Sequence, residues 1–319
     1  MALILMIFSG ILVGFGNYCM RRAMIAGGQS RNYILIQLFL SALWTFALGP
    51  LAHMQFAIST STWIYGALTG LCLAFFMKCL GHAMARGPVS LTVAFINAST
   101  LLPALVFFLL FGASWGFEYH LTTFIGSLLV LLALYQATQR EFKKNTPTTS
   151  NTPAISKQLS MAWLVATFGC FFFHTLMLIL IQLRAMSLLT ELPEHFLLLK
   201  SSTQGSEAFL PIMLMSAWLV RLVDTKKEHF QLPIKQEWFF GGLGGFANGA
   251  SIHLMAIATM VATGLQGAMM FPLYSVSIII TCNLWSALLY KESVYWPASV
   301  LAILGIITGT VNWTALLGS

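Results

Sequence analysis

The stretch FLLLKSSTQGSEAFLPIMLM, residues 196–215, sets a lysine, a glutamate and a run of hydroxyl and amide side chains between apolar flanks. A charged side chain at the centre of a bilayer costs roughly 2.5–3.5 kcal/mol on insertion scales, so such residues usually face a bundle interior or water. Lys200 and Glu207 lie seven positions apart. On a helix that is two turns, which puts them on one face about 10 Å apart along the axis. The spacing is too long for a direct ion pair and suits the two ends of a charged solute. Ser201, Ser202, Thr203, Gln204 and Ser206 crowd the same region. Gly205 offers a place where the helix loosens and presents backbone groups. Each charge also has a plainer reading. Lys200 lies near a helix end and can snorkel to the headgroups. Glu207, expected near mid-membrane, can be a buried structural carboxyl, protonated or paired.

A second intramembrane cation is Lys78, in LAFFMKCLGHAMARG at 73–87. It either reaches for the nearby surface or holds an anionic group such as a carboxylate or phosphate. His82 follows one turn later, near the interface. His253 falls one position from the repeat equivalent of Lys78, if Phe95 is aligned with Phe271. His174 follows three phenylalanines and reads as a packing residue or as a proton-coupling or stacking group. Asn17, Gln37, Asn97, Asn248 and Asn283 are single amides in apolar runs. They either join neighbouring helices, at about 0.6–2 kcal/mol each, or line a cavity. Tyr274 is an aromatic that can stack on a solute ring, as are Tyr18 and Trp44. The candidate solute-binding set is therefore Asn17, Lys78, Asn97, His174, Lys200, Gln204, Glu207, His253 and Tyr274.

These residues need elements to carry them. Hydrophobic residues make up 58% of the 319-residue chain and charged residues only 8%, against about 25% charged in soluble domains. Too little polar surface exists to cover a globule, so the solvent is lipid. The net charge of +7 sits in short loops, which fits membrane orientation and not nucleic-acid binding. Five cysteines, with no CxxC spacing, read as small buried hydrophobes with no disulfide frame and no metal site. FFGGLGGFANGAS at 239–251 lacks the lysine and strand context of a nucleotide loop. It reads as small residues permitting close helix packing.

Ten apolar segments of spanning length appear, at 2–20, 32–50, 61–83, 89–111, 119–137, 160–182, 195–221, 238–260, 265–289 and 294–316. The first lacks a basic leader and a clear cleavage site, and reads as a retained spanning helix. REFKKNTPTTSNTPAISKQ, 140–158, is polar, Ser/Thr-rich and carries two prolines, the composition of a flexible linker. Thirteen of the sixteen Lys and Arg residues follow odd-numbered segments. That side should be cytoplasmic, with both termini outside, in a multi-pass protein of the inner (plasma) membrane.

The halves resemble each other. LLFGASWGFEYHLTTFIG, 109–126, aligns without a gap on LLYKESVYWPASVLAILG, 288–305, pairing Phe111 with Tyr290, Phe117 with Trp296 and Gly126 with Gly305. Five segments per half is odd, so the second half enters the membrane from the opposite side. The expected fold is all-α: a polytopic membrane protein of ten transmembrane helices in two inverted five-helix repeats. The repeats are 1–139 and 159–319, joined by the linker 140–158. Inverted repeats are a common plan of secondary transporters.

The chain resembles the drug/metabolite transporter superfamily in its ten-helix EamA-like branch, over nearly its whole length. The resemblance is clearest at 270–313, where Pro272, Glu292 and Gly305 occupy family positions. Pro103 and Gly126 do so in the first half, but Gly-Ala-Ser at 112–114 replaces the acidic closure. The resemblance implies an alternating-access carrier with a central cavity. Members carry amino acids, nucleotide sugars, organic phosphates, cofactors and amines.

Both signs of charge in the bilayer point to a zwitterionic solute, an amino acid or a derivative such as S-adenosylmethionine. In that scheme Glu207 meets the cationic group and Lys78 the carboxylate. An anionic nucleotide sugar or organic phosphate is the alternative, and wants two or more convergent cations. A channel is less favoured, since channels tend to symmetric oligomers over internal repeats. An enzyme is not expected: no HExxH occurs, and acids within spans are too few for a metal pair. No cofactor is implied. Partners are the solute, membrane lipid, and a coupled proton or counter-substrate, with the chain a monomer or homodimer.

Overall fold

Hydrocarbon offers the backbone no hydrogen-bond partners, so a spanning chain must satisfy its N–H and C=O groups within helices. The computed structural model describes residues 1–87, 89–112, 120–144, 153–187, 205–227, 232–261, 264–291, 294–311 and 313. Among these residues every regular element is helical. In chain order they are α1 (Ala2–Ile25), α2 (Ser30–Phe46), α3 (Thr60–Arg86), α4 (Val89–Ala98), α5 (Leu102–Phe111), α6 (Leu121–Lys144), α7 (Pro153–Ser187), α8 (Phe209–Lys227), α9 (Lys235–Val261), α10 (Gly264–Leu289) and α11 (Trp296–Thr310). A π-helical turn, Ala47–Leu51, extends α2, and a 3-10 turn, Ser206–Ala208, leads into α8.

Seven described stretches are long and apolar enough to cross a membrane, which marks the chain as a membrane protein. They are Ala2–Ile25, Ser30–Leu51, Thr60–Arg86, Leu91–Leu110, Met161–Ala185, Ser206–Asp224 and Met270–Leu289. The other three predicted segments fall short for two reasons. The apolar parts of α6 and α11 are shorter, at Leu121–Ala133 and Trp296–Thr310. Helix α9 has 27 residues, but its glycines, Asn248, Ser251 and His253 dilute its apolar character. The expected linker also differs in part. Helix α6 runs on to Lys144 and α7 starts at Pro153, so both flanks are helical. Residues 145–152 lie outside the described residues.

The packing inverts the pattern of a soluble protein. Leu121, Phe124, Leu128, Leu131 and Tyr135 recur every three or four residues on the exposed stripe of α6, where acyl chains would lie. Ser9, Thr62, Thr69, Thr92 and Ser286 are fully buried. Lipid tails are as apolar as leucine, so helices gain by close approach through small residues and by interhelical hydrogen bonds. Helix α1 packs on α9 and α10, α2 on α8 and α9, α3 on α7 and α8, α4 on α7 and α10, and α6 on α11.

Glycine sets the closest approaches. A methyl group at Gly70 of α3 would lie 2.4 Å from the Met213 carbonyl oxygen of α8. One at Gly126 of α6 would lie 2.5 Å from the Gly305 carbonyl oxygen of α11. The glycine-rich run of α9 behaves as the sequence predicts: Gly241, Gly245 and Gly249 face Ile36, Leu40 and Trp44 of α2. Ser41 Oγ donates to the Gly245 carbonyl at 3.0 Å and receives Asn248 Nδ2 at 3.1 Å.

The fourth predicted segment is broken. Helix α4 ends at Ala98, a 3-10 turn covers Ser99–Leu101, and α5 begins with Pro103 in its first turn. Proline has no N–H to continue the ladder. Side chains turn back onto freed carbonyls here: Asn97 Nδ2 to Val93 at 2.8 Å, Ser99 Oγ to Ile96 at 2.6 Å and Thr100 Oγ1 to Asn97 at 2.7 Å.

Gly70→Ala should destabilise the fold by about 1–3 kcal/mol, because the added methyl meets backbone of α8 and forces the helices apart. Gly242→Ala, whose methyl would meet only Leu40 Cδ1 at 3.8 Å, should stay within about 0.5 kcal/mol of the parent. Thermal unfolding in detergent reads both, and equal midpoints would refute backbone contact at Gly70.

Candidate functional site: a basic cavity at one end of the bundle

Four helix ends converge where the sequence concentrates positive charge. Arg21 lies in the last turns of α1, Arg31 in the first turn of α2, Lys78 and His82 on α3, and Arg221 near the end of α8. Together they line a cavity of about 580 Å³, floored in part by Ile34. Lys78 stands eight residues before the end of α3, about 12 Å inside it at the usual helical rise. The cavity therefore reaches from the basic end of the bundle into its interior.

The charges are held in place. Lys78 Nζ lies 2.9 Å from Asp224 Oδ2 and donates to Oδ1 at 3.1 Å. Arg221, itself buried, also pairs with Asp224, three residues along on α8. One carboxylate thus bridges a cation from α3 and a cation from α8, two helices in direct contact. Arg21 donates to the Met84 carbonyl, tying the end of α1 to the end of α3. Arg86 Nη1 lies 2.8 Å from His82 Nδ1. Four permanent cations, Arg21, Arg31, Lys78 and Arg221, border this space, and Asp224 pairs with two of them. Arg and Lys donors suit carboxylate or phosphate oxygens.

Glu237 belongs to the same end but has another task. It is buried at the start of α9, where it accepts from the Ile234 backbone N–H at 2.7 Å and from Asn32 Nδ2 at 3.0 Å. That carboxylate caps α9 and fixes the α1–α2 connection beside the cavity.

The remaining sequence candidates are dispersed. Glu207 lies in the 3-10 turn before α8, about 21 Å along that helix from Arg221. Its position is thus a helix end and not mid-membrane: Gly205, at φ +68°, breaks the predicted 195–221 segment. There Glu207 Oε2 is 3.4 Å from His53 Nε2, with both side chains partly exposed. Arg184 stacks on Phe209 at 4.2 Å and donates to the Ser206 carbonyl at 3.0 Å. His174 is joined to Ser99 at 2.5 Å and lies against Phe76, with ring centroids 5.1 Å apart. Asn17 points at Cys282 Sγ, 3.7 Å away, across the α1–α10 contact. Asn97 is buried on its own helix. Tyr274 packs with Met6, Ala258 and Met270. His253 is half-buried on α9. Lys200 and Gln204 lie outside the described residues.

Of the seven candidates among the described residues, Lys78 alone lines the cavity. Arg21, Arg31 and Arg221 were legible only as orientation signals in short loops, and Asp224 was missed. The signal that marks the site is RLVD, 221–224: an acid one helical turn from an arginine, at the end of an apolar helix.

No family model matches the chain, and no curated protein does. A solved structure described only as "Crystal structure of protein" is similar at a TM-score of 0.53 and 14% identity, over 98% of this chain and 99% of that one. That likeness extends across the whole fold and is one of architecture alone.

Proposed function

We propose that this chain is a secondary-active, alternating-access transporter for a small polar metabolite that presents an anionic group to the basic cavity. The observation that carries this reading is the cavity itself: a space of about 580 Å³ bordered by Arg21, Arg31, Lys78 and Arg221 within an apolar bundle. Intramembrane charge is retained where something hydrophilic must pass.

The helix pairings support the two-repeat plan. With α4 and α5 counted as one segment, the described residues form ten helical segments. The first packs on the eighth and the third on the sixth. The second packs on the eighth and the third on the seventh, and the first on the ninth and the fourth on the sixth. Within each pair of contacts, exchanging the halves turns one into the other. The second–seventh, fourth–ninth and fifth–tenth contacts map onto themselves. Gly126 and Gly305, equivalent in the sequence alignment, meet face to face, as residues beside a two-fold axis do. This plan is that of the EamA-like carriers the sequence resembles, and the basic end is then the cytoplasmic side of the inner (plasma) membrane.

The cavity favours the anionic class of solute, a nucleotide sugar or organic phosphate, over the zwitterion. The zwitterionic scheme needs Glu207 and Lys78 on one solute, and they stand at opposite ends of the bundle. A zwitterion remains a second reading because Asp224 supplies an acid beside Lys78.

Two outcomes test this. In liposomes loaded with a metabolite panel, Lys78→Ala should lower saturable flux at least tenfold, since loss of one member of a close charge pair costs about 2 kcal/mol or more. Glu207→Gln, at a partly exposed pair, should stay within about threefold. Phosphate esters and nucleotides should compete for uptake more strongly than amino acids. Flux that never saturates would remove the carrier reading. Stronger competition by amino acids would restore the zwitterion.

A further inference from the structure

Asp224 stands where a bound anion would be expected to stand. It touches two of the cations that border the cavity, Lys78 from α3 and Arg221 from α8, and it is not itself among the residues that line it. Its side chain remains about 30% exposed, and that of Lys78 about 32%, so solvent and solute can reach the pair. Arg221 is buried at 6%, so its charge stays fixed at the site whichever anion it serves.

We infer that Asp224 is a resident counter-anion, which the anionic group of the solute displaces from Lys78 and Arg221. This rests on the reading of the cavity as the solute site. The chemistry is a competition between two oxyanions for the same N–H donors. A phosphate or carboxylate entering from the cavity side brings oxygens to Lys78 Nζ and the Arg221 guanidinium. Asp224 loses those bonds and is solvated at the open end. No proton or covalent bond need change hands.

The placement has a consequence for movement. The Lys78–Asp224 bond links α3 to α8 at the end where the cavity opens. In the empty protein it holds those two helices together. With solute bound, the solute takes over the cations and the bond across the helices is released. An empty carrier is then held in place and a loaded one is free to rearrange, which is the requirement for exchange of one solute against another.

Asp224 thereby acts as a positioning residue, and its removal has an unusual sign. Deleting a merely structural acid weakens a site. Deleting a competitor tightens it. The probe is inorganic phosphate, titrated against the full-length protein in detergent at constant ionic strength, with thermal stabilisation as the readout. Asp224→Asn should lower the half-saturating phosphate concentration by about tenfold, and Asp224→Glu should keep the parent value. Hydrogen exchange at the end of α8 should rise on phosphate addition in the parent and already be high in Asp224→Asn. Phosphate binding that is unchanged or weaker in Asp224→Asn overturns the inference. Should that variant not fold, the hydrogen-exchange response of the parent carries the test, and no rise overturns it. The titration is repeated in phosphatidylcholine nanodiscs with and without phosphatidic acid. A phosphate response present only without phosphatidic acid would assign the cavity to a lipid headgroup and overturn the soluble-anion assignment. Binding needs no transport, so failed flux with an intact phosphate response would count against the carrier reading and leave Asp224's role standing.

Discussion

The constraint on which this molecule turns is that a positive charge set well inside an apolar bundle must be answered by something. Lys78 is about 12 Å inside the end of its helix, and Arg221 is almost completely buried. In water their attraction to a carboxylate would be worth little. Here each cation is costly without its partner, so Asp224 holds two of them at once. Much of the local architecture serves that junction. Gly66 and Gly70 bring α3 against α8, Arg21 ties α1 to the end of α3, and Glu237 fixes the α1–α2 turn and α9. Larger residues at Gly66 and Gly70 would meet Ile212, Met213 and Ser216 and push α3 away from α8, the two helices that the ion triad joins.

How far the sequence discloses this depends on which force sets each feature. Hydrophobic length is a one-dimensional property, so seven spans are legible directly. So is the role of the glycine-rich run of α9, because small residues in a lipid-facing chain act mainly by allowing contact. The same run explains why α9 is less apolar than its neighbours: the face it packs on α2 is built from glycine and small residues. Glu207 shows where a linear reading fails. A helix drawn straight through 195–221 places it at depth, but Gly205 adopts a left-handed conformation and the helix proper starts at Phe209. Moving the helix start from 195 to Phe209, about four turns, takes that carboxylate from the middle of the segment to its end. Convergence was invisible for a different reason. Arg21 and Arg31 flank one loop and Arg221 lies far along the chain, and a tally of loop charge records their side of the membrane but not their common cavity.

The interior contains polar groups for which this arrangement supplies no partner. Asn283 of α10 is fully buried, and among the described residues neither atom of its amide has a partner; the Ser286 hydroxyl, one turn on, and the Trp285 indole N–H have none there either. The Thr69 hydroxyl of α3 is in the same condition. Each such group costs about 1–3 kcal/mol if it stays unpaired in every state. Native proteins carry few of them without reason. A protein with one rigid arrangement gains nothing from that expense. In a protein whose halves rearrange, a side chain buried in one state faces the solute path in another, and its hydrogen bonds are made there. Helix α10 packs on α1, α4 and α11, the helices that must move past it if the two halves rock. If the halves rock as proposed, the orphaned amide and hydroxyl of α10 lie on interior surface that the second conformation would wet.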